Sequence, residues 1–260
     1  MGATQEQIGF YADASVYDIL HTPGTALEVD GLLAMHDRFV RSKRRAMVLE
    51  PACGSGRYLR VLGRRGVRCE GYDLDGGMVG YANDRLRALG VDGIARARVG
   101  SMTDDAARAG VFTFAFNLIN TVRHLGSDQE MDLHLSSTAR SLAPGGVYAL
   151  GLSTSAPGLE FPSEDVWSAK RGRVGVVQTV QYEPAGEGSR DERVYSHVAV
   201  TTPKGVRHQD SSYTLRTYTQ EQWLELIARS AMRLVCVVNE VGDEIDVPVC
   251  GYGIYILRPD

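Results

Sequence analysis

Met47-Val48-Leu49-Glu50-Pro51-Ala52-Cys53-Gly54-Ser55-Gly56-Arg57 is the stretch whose reading decides the fold. Three apolar residues and an acid lead into two glycines separated by one serine. Tyr58, Leu59, Val61 and Leu62 then recur at helical spacing. The pattern predicts a buried strand, a tight turn and a helix. Without a Cβ, Gly54 and Gly56 leave the backbone free in φ and bare where a ligand must approach closely.

Two ligands fit such a turn. A dinucleotide would place its pyrophosphate there, and its fingerprint then wants a third Gly or Ala three residues after the second glycine. Leu59 occupies that slot, and the Glu50 carboxylate would repel phosphates. An ammonium or sulfonium group is instead attracted by the same carboxylate. Glu50 to Gly56 resembles the first motif of the class I S-adenosylmethionine-dependent methyltransferases, in which an acid precedes a short Gly-x-Gly loop. The resemblance implies an α/β fold: a Rossmann-like, doubly wound, seven-stranded sheet with the last strand antiparallel. It implies S-adenosyl-L-methionine as cofactor, with Glu50, Ala52, Gly54, Gly56 and Arg57 among its contacts.

Composition is compatible with that reading. The chain has 260 residues, 43% of them hydrophobic, enough for one α/β domain with an insertion. A net charge of −4 gives no basic footprint for nucleic acid. The clusters Arg41, Lys43, Arg44, Arg45 and Arg64, Arg65, Arg68 read as solvated helix ends. Cys53, Cys69, Cys236 and Cys250 lack metal or redox spacing, so no metal and a reducing cytoplasm are expected. Neither a signal peptide nor an apolar run of membrane-spanning length is evident, and no membrane partner is expected.

Along the chain, residues 5–20 form a partly helical, tyrosine-rich pattern. Tyr11 and Tyr17 resemble the N-terminal segment that folds over the cofactor in small-molecule methyltransferases; two core tyrosines on a docking helix would give the same pattern. Residues 26–41 repeat apolar positions at helical spacing. Val67 to Asp73 reads as a second strand. Asp73 follows Glu50 by 23 residues, one helix and one strand later, where an acid accepts hydrogen bonds from ribose hydroxyls. Asp75 suits the N-cap of the helix 78–89. The resemblance extends the cofactor set to Leu74 and Met78.

Residues 95–99 form a third strand, followed by Gly100-Ser101-Met102. The family often carries Gly-Asp-Met here. Ser101 replaces the Asp, leaving its hydroxyl to face the adenine amino group and Met102 to cover the ring. Residues 112–118 form the fourth strand, which continues into Ile119-Asn120-Thr121-Val122-Arg123-His124-Leu125. This segment resembles the family's methyl-transfer face, with Asn117 and Leu118 near the cofactor. Leu118 and Ile119 stand where amino methyltransferases of nucleic acids carry prolines, which argues against a DNA base as acceptor. A helix over 127–142 stops at Ala143-Pro144-Gly145-Gly146, and 147–152 forms the fifth strand.

Residues 153–217 break the alternation. Loop 155–162 is followed by three β-rich runs at 174–182, 193–201 and 206–218, which predict a small three-stranded antiparallel insertion after strand five. A capped helix near 222–231 and strands at 234–238 and 251–257 complete the core. The expected organisation is therefore an N-terminal helical segment (1–45), a cofactor-binding core (46–152 and 218–260) and an acceptor-side lid (153–217).

Methyl transfer needs positioning and a water-poor site more than strong acid catalysis. His124, with Asn120, is the candidate proton acceptor; a loop histidine satisfying backbone carbonyls is the alternative. Arg123, Trp167, His208, Tyr213 and Arg216 are candidate acceptor contacts. Alternation groups Tyr213 with Leu215, and Thr214 with Arg216, without saying which pair faces inward. The arrangement resembles amino-sugar N,N-dimethyltransferases and glycine-type N-methyltransferases, implying a small-molecule acceptor, an amine of natural-product or amino-sugar type before a hydroxyl. A nicotinamide-dependent oxidoreductase and a non-catalytic cofactor-binding protein are the rivals.

Overall fold

The computed structural model describes residues 13–104 and 107–260. Tyr11 lies outside the described residues. The first motif forms β1 (Met47–Pro51), and Gly56 opens a helix, α3 (Arg57–Arg64), preceded by α1 (Ala14–His21) and α2 (Thr25–Phe39). The alternation continues through β2 (Arg68–Asp73), α4 (Gly76–Ala88), β3 (Ala95–Val99), β4 (Phe112–Asn117), α5 (Asp128–Ser141) and β5 (Leu142–Thr154). After the insertion come α6 (Gln220–Arg229), β10 (Met232–Val238), β11 (Glu244–Ile245) and β12 (Gly251–Pro259).

Local chemistry sets several boundaries. Asp75 caps α4 by accepting the Met78 N–H at 2.8 Å. Thr219 and Gln222 form a reciprocal capping box at the start of α6. Every residue of β4 is buried, as a strand covered on both faces requires.

The Rossmann-like sheet has the order β11-β10-β12-β5-β4-β1-β2-β3. Strands β1 to β5 run parallel, and β12 is antiparallel to β5 and β10. Two-residue β11 adds an eighth strand to the seven expected. Phe114 and Phe116 pack with α2, α3 and α4 on one face, whereas Ala115 and Tyr148 pack with α5 and α6 on the other. The first and fourth strands are adjacent, so the crevice at their carboxyl ends is the switch point where ligands bind in open α/β sheets.

The insertion corrects one expectation. It is a four-stranded antiparallel sheet of β6 (Ser163–Arg171), β7 (Val174–Glu183), β8 (Asp191–Thr202) and β9 (Gly205–Arg216), not three strands. Strand β6 carries Ser, Glu, Asp, Lys and Arg and is largely exposed, so no clean alternation marks it. Its strand conformation comes from pairing with β7 along its whole length. Val176, Val198 and Val200 of this sheet bury Val16, Ile19 and Leu20 of α1. An ion pair between Arg207 and Asp13 adds to that contact.

Candidate active site

The loop after β1 turns through Ala52, Gly54 and Gly56, with φ of 51°, 50° and 70°. A Cβ on Gly56 would stand 2.9 Å from the Ala82 Cβ, so close packing of α4 as well as backbone conformation demands glycine. The Asp73 carboxylate closes the loop against β2: Gly54 N–H donates to Oδ2 at 2.8 Å and Asp75 N–H to Oδ1 at 3.0 Å. Burial raises the Asp73 pKa, and those two amides oppose the shift.

Buried oxygens without a hydrogen-bond partner converge on the same crevice. Glu50 is buried, and its Oε2 has no hydrogen-bond partner. Burial holds its pKa well above the usual value despite the opposing Arg57 charge. Asn117, at the end of β4, donates from Nδ2 to the Pro51 carbonyl at 2.8 Å, which leaves its buried Oδ1 as an unpartnered acceptor. Buried oxygens of this kind call for a donor. The ammonium and ribose hydroxyls of S-adenosylmethionine supply donors, so the residues present fit that cofactor.

The neighbouring positions divide by what their side chains already do. Leu74 is exposed beside Asp73, whereas Met78 is buried under the loop. Ser101 is engaged with Thr103, accepting its N–H at 3.1 Å, with the two hydroxyls 2.8 Å apart. The Met102 carbonyl is held by His134, which sequence reasoning missed. Its Nδ1 donates to that carbonyl at 3.3 Å while Nε2 accepts from the Tyr148 hydroxyl at 2.7 Å. Met102 Sδ lies 3.9 Å from Asn117 Nδ2. Arg57 turns away from the loop, donating to Thr25 Oγ1 at 2.9 Å, Glu28 at 2.6 Å and the Tyr58 hydroxyl at 2.5 Å. Its influence on Glu50 is that of a nearby charge. Tyr17 lies over the loop, its ring 3.5 Å from where a Gly54 Cβ would stand. Burial pushes the Tyr17 hydroxyl up to about 12, against the lowering effect of Arg57.

Beyond β4 and Leu118 the chain makes an unusual turn. Ile119 and Asn120 both have positive φ, 56° and 60°, which non-glycine residues adopt only when their surroundings over-determine them. The Ile119 N–H donates to the Tyr252 hydroxyl at 3.2 Å. Asn120 donates to Ser153 Oγ at 3.0 Å and accepts the Ser153 N–H at 2.6 Å. Gly151 makes room: a Cβ there would fall 2.0 Å from the Tyr252 hydroxyl. The Asn120 side chain therefore shapes the turn, and a short 3-10 helix (Thr121–His124) follows it.

His124 lies at the end of that helix with its ring 5.3 Å from Tyr213 of β9. Burial, reinforced by the Arg123 charge, lowers its pKa to about 4, so the imidazole is neutral at physiological pH. Arg123 is buried and committed, donating to the Arg216 carbonyl at 2.9 Å and to Glu192 at 2.7 Å. Arg216 is bound to Asp128 at 3.1 Å, at the start of α5. Both arginines fasten the insertion to the core.

Strand register decides the remaining acceptor candidates. Tyr213 pairs with Val194 and Trp167 with Gln178, in the set of positions that includes buried Val180, Ser196 and Val198. Tyr213 and Leu215 face inward, whereas Trp167 shares that face by register but is exposed on edge strand β6. His208 belongs to the opposite, outer face, where His197 lies 3.1 Å from it and also contacts Asp210 at 2.6 Å. Its expected place in the acceptor pocket is thereby corrected.

Comparison with known proteins agrees with this geometry. Residues 48–146 match the family described as "Methyltransferase domain". The matched core is a methyltransferase domain, and the protein is an S-adenosylmethionine-dependent methyltransferase. It is 24% identical over 227 residues to dTDP-3-amino-3,6-dideoxy-alpha-D-glucopyranose N,N-dimethyltransferase from Streptomyces fradiae, covering 81% of this chain and 79% of that one. Its fold is similar to that of DesVI from Streptomyces venezuelae, with a TM-score of 0.73, 23% identity, and coverage of 95% of this chain and 98% of that one. It is also similar to the sugar N-methyltransferase KedS8 from a Streptoalloteichus species, with a TM-score of 0.72, 20% identity, and coverage of 100% and 97%. No helix among the described residues is long and apolar enough to cross a membrane.

Proposed function

We propose that the enzyme methylates an amine nitrogen on a small acceptor of the amino-sugar or related natural-product kind. The observation that carries nitrogen over oxygen is the state of His124. A hydroxyl acceptor needs a real base in the transition state, and the best such base has a pKa near the working pH. A histidine with a pKa of about 4 is too weak for that task. A neutral amine already presents its lone pair and needs only placement, a dry site and somewhere for its proton to go afterwards.

When bound, S-adenosylmethionine would supply an electrophilic methyl group for in-line displacement, the sulfur–methyl bond breaking as the nitrogen–carbon bond forms and the amine proton leaving to solvent. Asp73, Glu50 and the glycine loop hold the cofactor, with Ala52, Leu74, Met78, Ser101, Met102, Asn117 and Leu118 completing its surroundings. Tyr17 covers the loop and excludes water. Trp167 and Tyr213 line the inner face of the insertion toward the acceptor, Arg123 and Arg216 fix that face in place, and Asn120 sets the turn that presents His124. The neutral imidazole of His124 accepts a hydrogen bond from the amine and does not repel it by charge.

The names of the Streptomyces fradiae relative and of KedS8 support an amino sugar as the acceptor class. The test is incubation with S-adenosylmethionine and a matched panel, nucleotide-linked and free amino sugars against their hydroxyl analogues, read by mass spectrometry. Methyl gain on the amines alone is expected; gain on the hydroxyl analogues alone would refute the proposal.

A further inference from the structure

Asp18 follows Tyr17 on α1, and its side chain is fully buried. Its Oδ1 accepts from Ser55 Oγ at 2.9 Å, from Thr22 Oγ1 at 3.1 Å and from Arg60. Its Oδ2 accepts from the Tyr81 hydroxyl at 2.9 Å and pairs with Arg171 at 2.9 Å. Those partners come from different places. Ser55 stands between the two loop glycines, Arg60 is on α3, Tyr81 on α4, and Arg171 ends β6 of the insertion.

We propose that Asp18 is a positioning residue that ties the cofactor loop to the sheet roofing the acceptor, so that filling the loop orders the roof. Both ends of the tie are specific. Ser55 is completely buried, and its carbonyl accepts from Arg60 at 2.8 Å, so the loop cannot shift without moving the Asp18 cluster. Arg171 also donates to the Asp18 carbonyl at 3.1 Å and to Thr22 and Tyr81 hydroxyls at 3.3 Å. Between them, α1 has only eight residues, too few to hold a helix by itself, so its place is set by these contacts and by the valines of the insertion. The same helix carries Tyr17 over Gly54.

The test uses the full chain, with S-adenosylhomocysteine as probe and amide hydrogen exchange as readout. In the wild type the probe slows exchange in residues 14–21 and also in 163–183. Arg171→Met leaves Asp18 paired with Arg60. It is expected to keep probe affinity within about threefold while reducing the probe-induced protection of 163–183 by about fivefold or more. Arg171→Lys, which keeps a cation at that place, restores part of the protection. Asp18→Asn is expected to weaken protection of both segments. A merely structural contact would change melting temperature without changing the difference between free and bound exchange. Undiminished protection in Arg171→Met, or no probe-linked protection of 163–183 in the wild type, would overturn the proposal. The inference rests on the cofactor and not on the acceptor, so a failed acceptor screen leaves it standing.

Discussion

Replacing Gly56 by alanine would test the loop geometry on which the active site depends. Gly56 has φ of 70°, and a left-handed conformation costs an L-residue about 1–2 kcal/mol. The new Cβ would also meet the Ala82 Cβ at 2.9 Å, with the Ala82 Cα at 3.6 Å and Leu59 Cδ1 at 3.7 Å. Ala82 is a buried helix residue and cannot swing aside, so overpacking adds about 1–3 kcal/mol. Reduced freedom of the unfolded chain returns about 0.4–1 kcal/mol. The net expectation is a loss of about 2–4 kcal/mol. Urea unfolding measures it as a lower midpoint at unchanged slope, and calorimetry with S-adenosylhomocysteine should show weakened binding. Ala82→Gly alone costs about 1 kcal/mol as a glycine within a helix. In the double variant it removes the clash and leaves the backbone penalty at residue 56 together with that glycine cost. A wild-type midpoint for Gly56→Ala, or strict additivity in the double variant, would refute the close-approach reasoning.

Three further outcomes are expected. Asp73→Ala should weaken S-adenosylhomocysteine binding by about 1–3 kcal/mol, the range for losing hydrogen bonds to a charged group; unchanged affinity by calorimetry would remove Asp73 from the site. His124→Ala should lower turnover with near-normal cofactor affinity, and the wild-type pH–rate profile should show no inflection near pH 6–7 that this variant abolishes, because the imidazole protonates only near about 4. Such an inflection would show that the imidazole is not held in its neutral form. His134 is fully buried with its pKa lowered by burial from 6.5 to about 4. Between those values the unfolded chain binds a proton that the folded chain does not. Its contribution is therefore complete above pH 6.5 and falls toward pH 4, by about 1.4 kcal/mol per pH unit. Urea midpoints at pH 7, 6 and 5 should fall less steeply for His134→Gln than for the wild type, and equal slopes would contradict the assignment.

Some features were legible in the sequence because neighbouring residues encode them. Glu50 to Gly56 specified strand, turn and helix, since apolar runs, glycines and helical spacing act over a few residues. Asp75 marked a helix start because a cap needs only the amides of the next turn. The β1–α3–β2 spacing brought Asp73 to the loop, and the structure shows it accepting the Gly54 N–H. The doubly wound sheet was what the resemblance of that motif to class I methyltransferases implied, and the strand order agrees with it.

What only the tertiary structure decided depends on groups far apart in the chain. Strand β6 exists through its pairing with β7, and strand alternation places Tyr213 opposite His208 without naming the inner face. Burial of Val176, Val198 and Val200 against α1 names it. Arg123 and Arg216 look like ligand-binding cations in the sequence, but Glu192 and Asp128, 69 and 88 residues away, hold them in the folded chain. Asp18, His134 and Tyr252 carry no local motif, and each acquires its role when distant elements close around it. Sequence by itself determined the cofactor loop and the fold around it, because short-range sterics and periodicity set them. The four-stranded insertion and the ties that hold it to the core were decided by tertiary packing, because a buried charge or hydroxyl finds its partner only where the fold brings one.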